Sequence, residues 1–312
     1  MKLVSAFLRL IRWPNLVFIV LTQSLFYFCV FNSFIIKPGY QHKHILFYLL
    51  VLASAFIAAA GYIINDYFDL QIDAVNKPQK VVVDRLVKRR WAIIWHLVFS
   101  AAGILLSFFI SYKIGNWIIF FANICCVILL WFYSTTFKKK LLSGNIIIAA
   151  LTAWVIVVVY FFAGANITVW QPDTIAFDER RLFKYCMLYA GFAFIVSLIR
   201  EVVKDLEDME GDAKYDCKTM PIVWGVPTTK VYTAVWLIVC IAALGIVQLY
   251  AWQSGWWMIA VYCIAFIIIP MIIILKKLYK AVTPADYHKL SNSIKYVMLA
   301  GILSMLFFTF LV

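Results

Sequence analysis

Apolar residues in this chain fall into long runs separated by short polar stretches. Nine such runs lie near residues 15–36, 45–66, 91–111, 116–137, 144–164, 182–203, 229–251, 255–275 and 292–311. Each is close to the roughly 20 residues a helix needs to cross about 30 Å of hydrocarbon. Ahead of the first run, Leu3, Phe7, Leu10 and Ile11 alternate with Arg9 and Arg12, a pattern that suits a short amphipathic helix lying on a membrane surface. Pro14 then opens the first span. The run from Asn15 to Ile36 is too long for a signal-peptide core and lacks a small-residue cleavage site, so it reads as a retained helix. The pattern predicts an all-α, polytopic membrane protein of nine transmembrane helices forming a single domain over 1–312. No linker rich in Gly, Ser or Pro interrupts it, and the longest polar stretches are the loops at 67–90 and 204–228.

Composition agrees, at 65% hydrophobic and 14% charged residues, against about 45–50% apolar in soluble globular chains. The net charge of +13 suggests membrane orientation rather than nucleic acid, because the basic residues are confined to loops between apolar runs. With the N-terminus in the cytoplasm, 22 of the 28 Lys and Arg fall on that side, and only Lys37, Lys43, Lys113, Arg180, Arg181 and Lys184 on the other. Nine spans then put Val312 outside, in a cell membrane of the bacterial or archaeal inner-membrane kind. Trp13, Trp91, Trp117, Trp170, Trp252, Trp256 and Trp257 sit near span ends, as interfacial anchors do. The seven cysteines form no CxxC pair, and the four histidines show no ligand spacing, so neither type indicates a disulfide framework or a thiolate metal site.

Two acidic runs break the apolar pattern. In Gly61 to Asp73 (GYIINDYFDLQID), a helix continuing through the segment carries Asp66, Asp69 and Asp73 on one face, with Asn65 beside them. Arg200 to Asp212 (REVVKDLEDMEGD) repeats the spacing at Asp205, Asp208 and Asp212. Like charges gathered this way raise one another's pKa values or demand a cation, and oxygen-only ligands point to a hard one, Mg2+. Both runs follow even-numbered spans, so both fall on the cytoplasmic face, where they can share one site. Metal held there would neutralise a diphosphate leaving group, with Lys77, Lys80, Arg85 and the stretch from Tyr133 to Lys138 placed to touch the same oxygens. Solvated loop carboxylates paired with nearby cations are the plainer reading, which two matching runs disfavour. A divalent-cation transporter is the reading of another class, but it would want carboxylates near mid-membrane rather than at helix ends among cations.

These residues resemble a family. NDYFDLQID is similar to the first motif, NDxxDxxxD, of the UbiA-type intramembrane prenyltransferases, and KDLEDMEGD to their second aspartate-rich motif. The resemblance implies a helical bundle with a central cavity open to the cytoplasmic side, in which a magnesium-held prenyl diphosphate ionises and alkylates an acceptor. It makes Asn65, Asp66, Asp69, Asp73, Asp205, Asp208 and Asp212 metal ligands, with Asp66, Asp69, Asp205, Lys77 and Arg85 acting in catalysis. Asn76 and Lys77 match the NKP that follows the first motif, and Asn76, Lys80, Tyr133, Lys138, Arg200 and Lys204 are the implied substrate contacts. The segment KVVVDR replaces a Pro-Gly pair that the family often has, and YSTTFK has one residue more than the usual tyrosine-to-lysine spacing. YSTTFK followed by Gly144-Asn145, with the arrangement around Arg200 to Asp212, looks most like geranylgeranylglycerol-phosphate geranylgeranyltransferases. The implied partners are a prenyl diphosphate donor, a lipid-like or aromatic acceptor and membrane lipid, with no nucleic acid. Prenylation of an aromatic acid in quinone synthesis, or of a tetrapyrrole, is the alternative within the superfamily.

Overall fold

A computed structural model describes residues 2–34, 44–79, 81–170 and 178–310. Lys37, His42, Lys43, Lys80 and Val312 lie outside the described residues, as do the side chains of residues 2, 3 and 166–170, Trp170 among them. The described chain is helical, and nine of its helices are long and apolar enough to cross a membrane. The amphipathic α1 (Lys2–Leu10) precedes α2 (Trp13–Leu25), which runs on through a π-helical turn at Phe26–Phe31. Then come α3 (His44–Phe68), α4 (Leu70–Asn76), α5 (Arg89–Ile114), α6 (Trp117–Thr135) and α7 (Ser143–Trp170). The second half holds α8 (Glu179–Glu207), α9 (Met209–Lys214), α10 (Met220–Val223), α11 (Gly225–Gln253), α12 (Trp257–Cys263), α13 (Ile269–Lys280) and α14 (Pro284–Leu303).

The helix ends follow local chemistry. Gly115 adopts the left-handed conformation (φ 69°) that closes α5, and the Asn116 side chain then accepts from the Ile118 N–H at 3.1 Å to cap α6. The last spanning helix begins at Pro284, eight residues ahead of the apolar run that predicts it. Thr283 and Asp286 form a reciprocal capping box there, so α14 gains two polar turns that hydropathy does not register. Helices α4 and α9 are further additions, each a short helix that carries the last aspartate of an acidic motif.

The backbone groups into two compact units, residues 1–138 with 155–184 and residues 139–154 with 185–312. In the first, α3 packs against α5 and α6. Small residues permit the approach: a Cβ on Gly103 would stand 2.6 Å from Ile57 Cγ1 and 3.2 Å from the Ala53 carbonyl oxygen. Asn123 donates to Ser107 Oγ at 2.8 Å and Ser107 to the Gly103 carbonyl at 2.8 Å, so polar atoms at depth are satisfied within the protein. The second unit is built on a continuous core in which Ile199, Val203 and Leu206 of α8 meet Leu237, Met271, Leu290 and Ile294. Trp13, Trp91, Trp117, Trp252 and Trp257 are exposed, as interfacial anchors are. Trp256 instead packs on Phe308 at 6.3 Å.

Gly103→Leu should therefore lower the thermal unfolding midpoint in detergent, by an overpacking cost of about 1–3 kcal/mol. Gly191→Ala, where an added Cβ meets nothing within 4 Å, should leave it unchanged. Equal midpoints for Gly103→Leu and the parent would refute the close approach of α3 and α5.

Candidate active site

The two acidic motifs have the same backbone construction. In the first unit, α3 carries Asn65 and Asp66 to its end and breaks at Asp69 (φ −83°, ψ −1°). Hydrogen bonds of the helical kind bridge the break, from Asp69 N–H to the Asn65 carbonyl at 2.9 Å and from Asp73 N–H to the Asp69 carbonyl at 2.8 Å. In the second unit, α8 ends at Glu207 and breaks at Asp208, with Asp208 N–H bonded to the Lys204 carbonyl at 2.9 Å and Asp212 N–H to the Asp208 carbonyl at 3.1 Å. The three- and four-residue spacing read from the sequence is thus kept, while the helix pauses at the middle aspartate of each run.

The side chains of the first motif are held by cations and an amide. Arg12 Nη2 donates to Asp66 Oδ1 at 2.6 Å, and the guanidinium also lies over the Tyr62 ring, 5.2 Å from its centroid. Arg12 occupies the left-handed region (φ 50°) between α1 and α2, an uncommon place for a non-glycine residue, and so turns from the surface helix toward the motif. Asp69 is buried and receives the Lys138 ammonium together with Asn65 Nδ2, the latter at 2.5 Å. Burial alone would lower the Lys138 pKa, but the charge of Asp69 outweighs it and holds the ammonium above its ordinary range. Burial first, and the charge of Asp69 next, push the Asp73 carboxyl up to about 6, with Lys138 opposing.

In the second unit Asn145, near the start of α7, donates to Asp205 Oδ2 at 2.8 Å. One turn earlier Glu201 is clasped by Arg200 Nη1 at 3.2 Å and by Lys204 Nζ at 3.0 Å to each oxygen. Glu207 accepts from the His288 ring at 2.9 Å. Glu201 is therefore committed to Arg200 and Lys204, and Glu207 to the His288 ring, which leaves both poorly placed to take a proton. Asp212 is buried, and its carbonyl accepts from the Cys217 N–H at 3.0 Å, which folds the chain back after α9.

The structure gathers Asn65, Asp66, Asp69, Asp73 and Lys138 in the first unit, with Tyr133 close enough to bear on the Lys138 charge. It gathers Arg200, Lys204, Asp205, Asp208 and Asp212 in the second. Asn76 and Lys77 end the short helix after the first motif, and the Lys77 N–H bonds the Asp73 carbonyl at 2.8 Å. Arg85 is exposed and donates to the Pro78 carbonyl at 2.6 Å, so its guanidinium is turned to its own loop. Arg12 and His288 join the acidic groups without any motif to announce them, whereas Asn145 belongs to the Gly144-Asn145 pair that follows YSTTFK. Arg12 lies over 50 residues from its partner, and His288 belongs to a helix whose polar start is invisible to hydropathy.

Among the described residues no group of three or more His, Cys, Asp or Glu is drawn together tightly enough to hold a metal ion. The carboxylates of the first motif are shared out to different cations. The donor set nonetheless fits magnesium: every candidate ligand is an oxygen, and Asn65 Oδ1 is buried without a hydrogen-bond partner.

An all-helical membrane protein with paired NDxxDxxxD-like acidic motifs at the ends of spanning helices defines a narrow class. Residues 25–293 match the UbiA prenyltransferase family. The chain belongs to that family, whose chemistry is prenyl transfer within a membrane, and not to a class of cation transporters. It is 29% identical over 268 residues to the digeranylgeranylglyceryl phosphate synthase of Methanosphaera stadtmanae, covering 84% of this chain and 88% of that one. To the enzyme of the same name from Methanobrevibacter smithii it is 30% identical over 200 residues, or 63% of this chain. That match spans 64% of the relative, just under two thirds of its length. In fold it is similar to a UbiA homologue from Archaeoglobus fulgidus bound to DMAPP and Mg2+, with a TM-score of 0.59, 20% identity, and coverage of 96% of this chain and 98% of that one.

The raised Asp73 pKa sets a pH dependence. A carboxyl whose folded-state pKa of about 6 lies above its unfolded value weakens the fold as pH rises from the unfolded pKa through 6. Asp73→Asn should therefore raise the unfolding midpoint at pH 8 in chelator-containing detergent, and the gain should shrink toward pH 4. A gain that grows on acidification would contradict the assignment.

Proposed function

We propose that this chain is a magnesium-dependent intramembrane prenyltransferase that moves a geranylgeranyl group from its diphosphate to the free hydroxyl of a geranylgeranylglycerol phosphate, forming an ether lipid. Asn65, Asp66, Asp69 and Asp73 in the first unit, and Asp205, Asp208 and Asp212 in the second, are its metal ligands, on the cytoplasmic side of the membrane. The magnesium complex named for the Archaeoglobus homologue supports the metal, and the name shared by the two archaeal relatives supports the acceptor.

The observation that carries the acceptor assignment is the cationic pair beside the second motif. Arg200 is largely buried, and its Nε keeps a hydrogen-bond donor with no partner, while one terminal nitrogen is committed to Glu201. A buried guanidinium with an unspent N–H suits a phosphate oxygen. An aromatic acid would need only one carboxylate partner and no such surplus.

Bound magnesium supplies positive charge that stabilises the diphosphate as it leaves. In the proposed reaction the carbon–oxygen bond to diphosphate breaks, the acceptor hydroxyl oxygen bonds the allylic carbon, and the hydroxyl proton departs. Since Glu201 is held by Arg200 and Lys204 and Glu207 is hydrogen-bonded to His288, the reading assigns that proton to the departing diphosphate. Lys77 adds charge next to the first motif, and Asn145 orients the Asp205 carboxylate.

Asp66→Ala, Asp69→Ala and Asp205→Ala should each abolish nearly all turnover with the fold retained by circular dichroism. Near-normal activity of these variants at low magnesium would sink the metal-bridged reading.

Purified protein should alkylate geranylgeranylglycerol phosphate and ignore the dephosphorylated alcohol. Arg200→Ala should raise the KM for that acceptor far more than for the prenyl diphosphate, the loss of a charge-assisted bond being worth about 1.5–3 kcal/mol. Efficient prenylation of a hydroxybenzoate or dihydroxynaphthoate with no ether product would move the assignment to quinone synthesis.

A further inference from the structure

Neither acidic motif accounts for a second concentration of charge in the C-terminal unit. Where α13 ends and α14 begins, a cavity of about 210 Å³ is lined by Lys277, Lys280 and Lys289, with Asp286 and Ser293 at its edge and Ala281 and Leu290 as apolar wall. That is room for far more than a single water. All three lysines are exposed, and among the described residues none of them is held in an ion pair. Asp286 uses its Oδ2 on the helix cap, accepting from Thr283 Oγ1 at 2.8 Å, Thr283 N–H at 3.0 Å and Val282 N–H at 3.2 Å.

Lys277 and Lys280 close α13, where the helix dipole favours cations. Lys289 stands in the second turn of α14, one turn after Asp286, and adds a third ammonium to a space that already holds two. One carboxylate does not match three ammonium groups, and a bound anion would answer the remaining charge together with the positive end of α14.

We propose that this cavity binds a phosphate group, in the form of an anionic lipid headgroup at the membrane surface. Both helices are of membrane-spanning length, so their ends lie at headgroup depth, where basic residues attract anionic lipids. The apolar wall of Ala281 and Leu290 suits the glycerol end of a lipid, which free phosphate lacks. None of its residues belongs to either motif.

The test is a lipid titration of the full-length protein in detergent by native mass spectrometry, using phosphatidylglycerol and phosphatidylcholine, alongside 31P line broadening of inorganic phosphate. The parent should hold one phosphatidylglycerol more tightly than the triple variant Lys277→Gln, Lys280→Gln, Lys289→Gln, whose apparent affinity should fall at least tenfold. Lys276→Gln, on the same helix but outside the cavity, should behave as the parent, and phosphatidylcholine should not distinguish the proteins. Phosphate broadening that the triple variant loses, without any lipid preference, supports the phosphate site and assigns it to the free ion. Identical phosphatidylglycerol affinity in parent and triple variant, with no difference in phosphate broadening, overturns the proposal.

Discussion

Carboxylates at the ends of membrane-spanning helices must find positive charge or hydrogen-bond donors, and this constraint shapes both halves of the molecule. An isolated carboxylate is costly wherever water is scarce. Asp69 has a side chain only 5% exposed, and it is tolerable there because Lys138 and Asn65 both reach it. Asp66 draws Arg12 across from the surface helix, which explains why a residue so far away adopts a left-handed backbone at the entrance to the first span. The same logic in the second unit places Asn145 on Asp205 and His288 on Glu207.

The construction repeats. At Asp69 and at Asp208 the helix pauses while the hydrogen-bond ladder remains closed. Each acidic run is thereby carried on a spanning helix and ends in a short one. Oxygen ligands so mounted suit a cation that needs several of them at once. The basic partners, in turn, orient the carboxylates they touch.

Much of this was legible in the sequence. Apolar runs of spanning length predict helices by themselves, because in hydrocarbon a chain must satisfy its own backbone hydrogen bonds, and among the described residues nine helices of spanning length are found where nine runs lie. The acidic residues of both motifs were legible too, since aspartates rarely punctuate such runs without a purpose, and the matching motifs point to the family. Less legible were the limits of the elements. α14 starts early because Thr283, Pro284 and Asp286 build a cap, which is local chemistry that hydropathy does not weigh.

Partners across the fold were decided by tertiary structure alone. Arg85, near the first motif in sequence, turns to Pro78, while Arg12 reaches Asp66. Glu201 and Glu207 are taken up by Arg200 and Lys204 and by His288. Lys138 is fastened to Asp69, so it serves the first motif and is not spare charge on the surface. The sequence by itself determined the helices and the type of chemistry, because periodicity and residue type act locally. Which cation neutralises which carboxylate depends on distances between helices, and those exist only once the helices have packed.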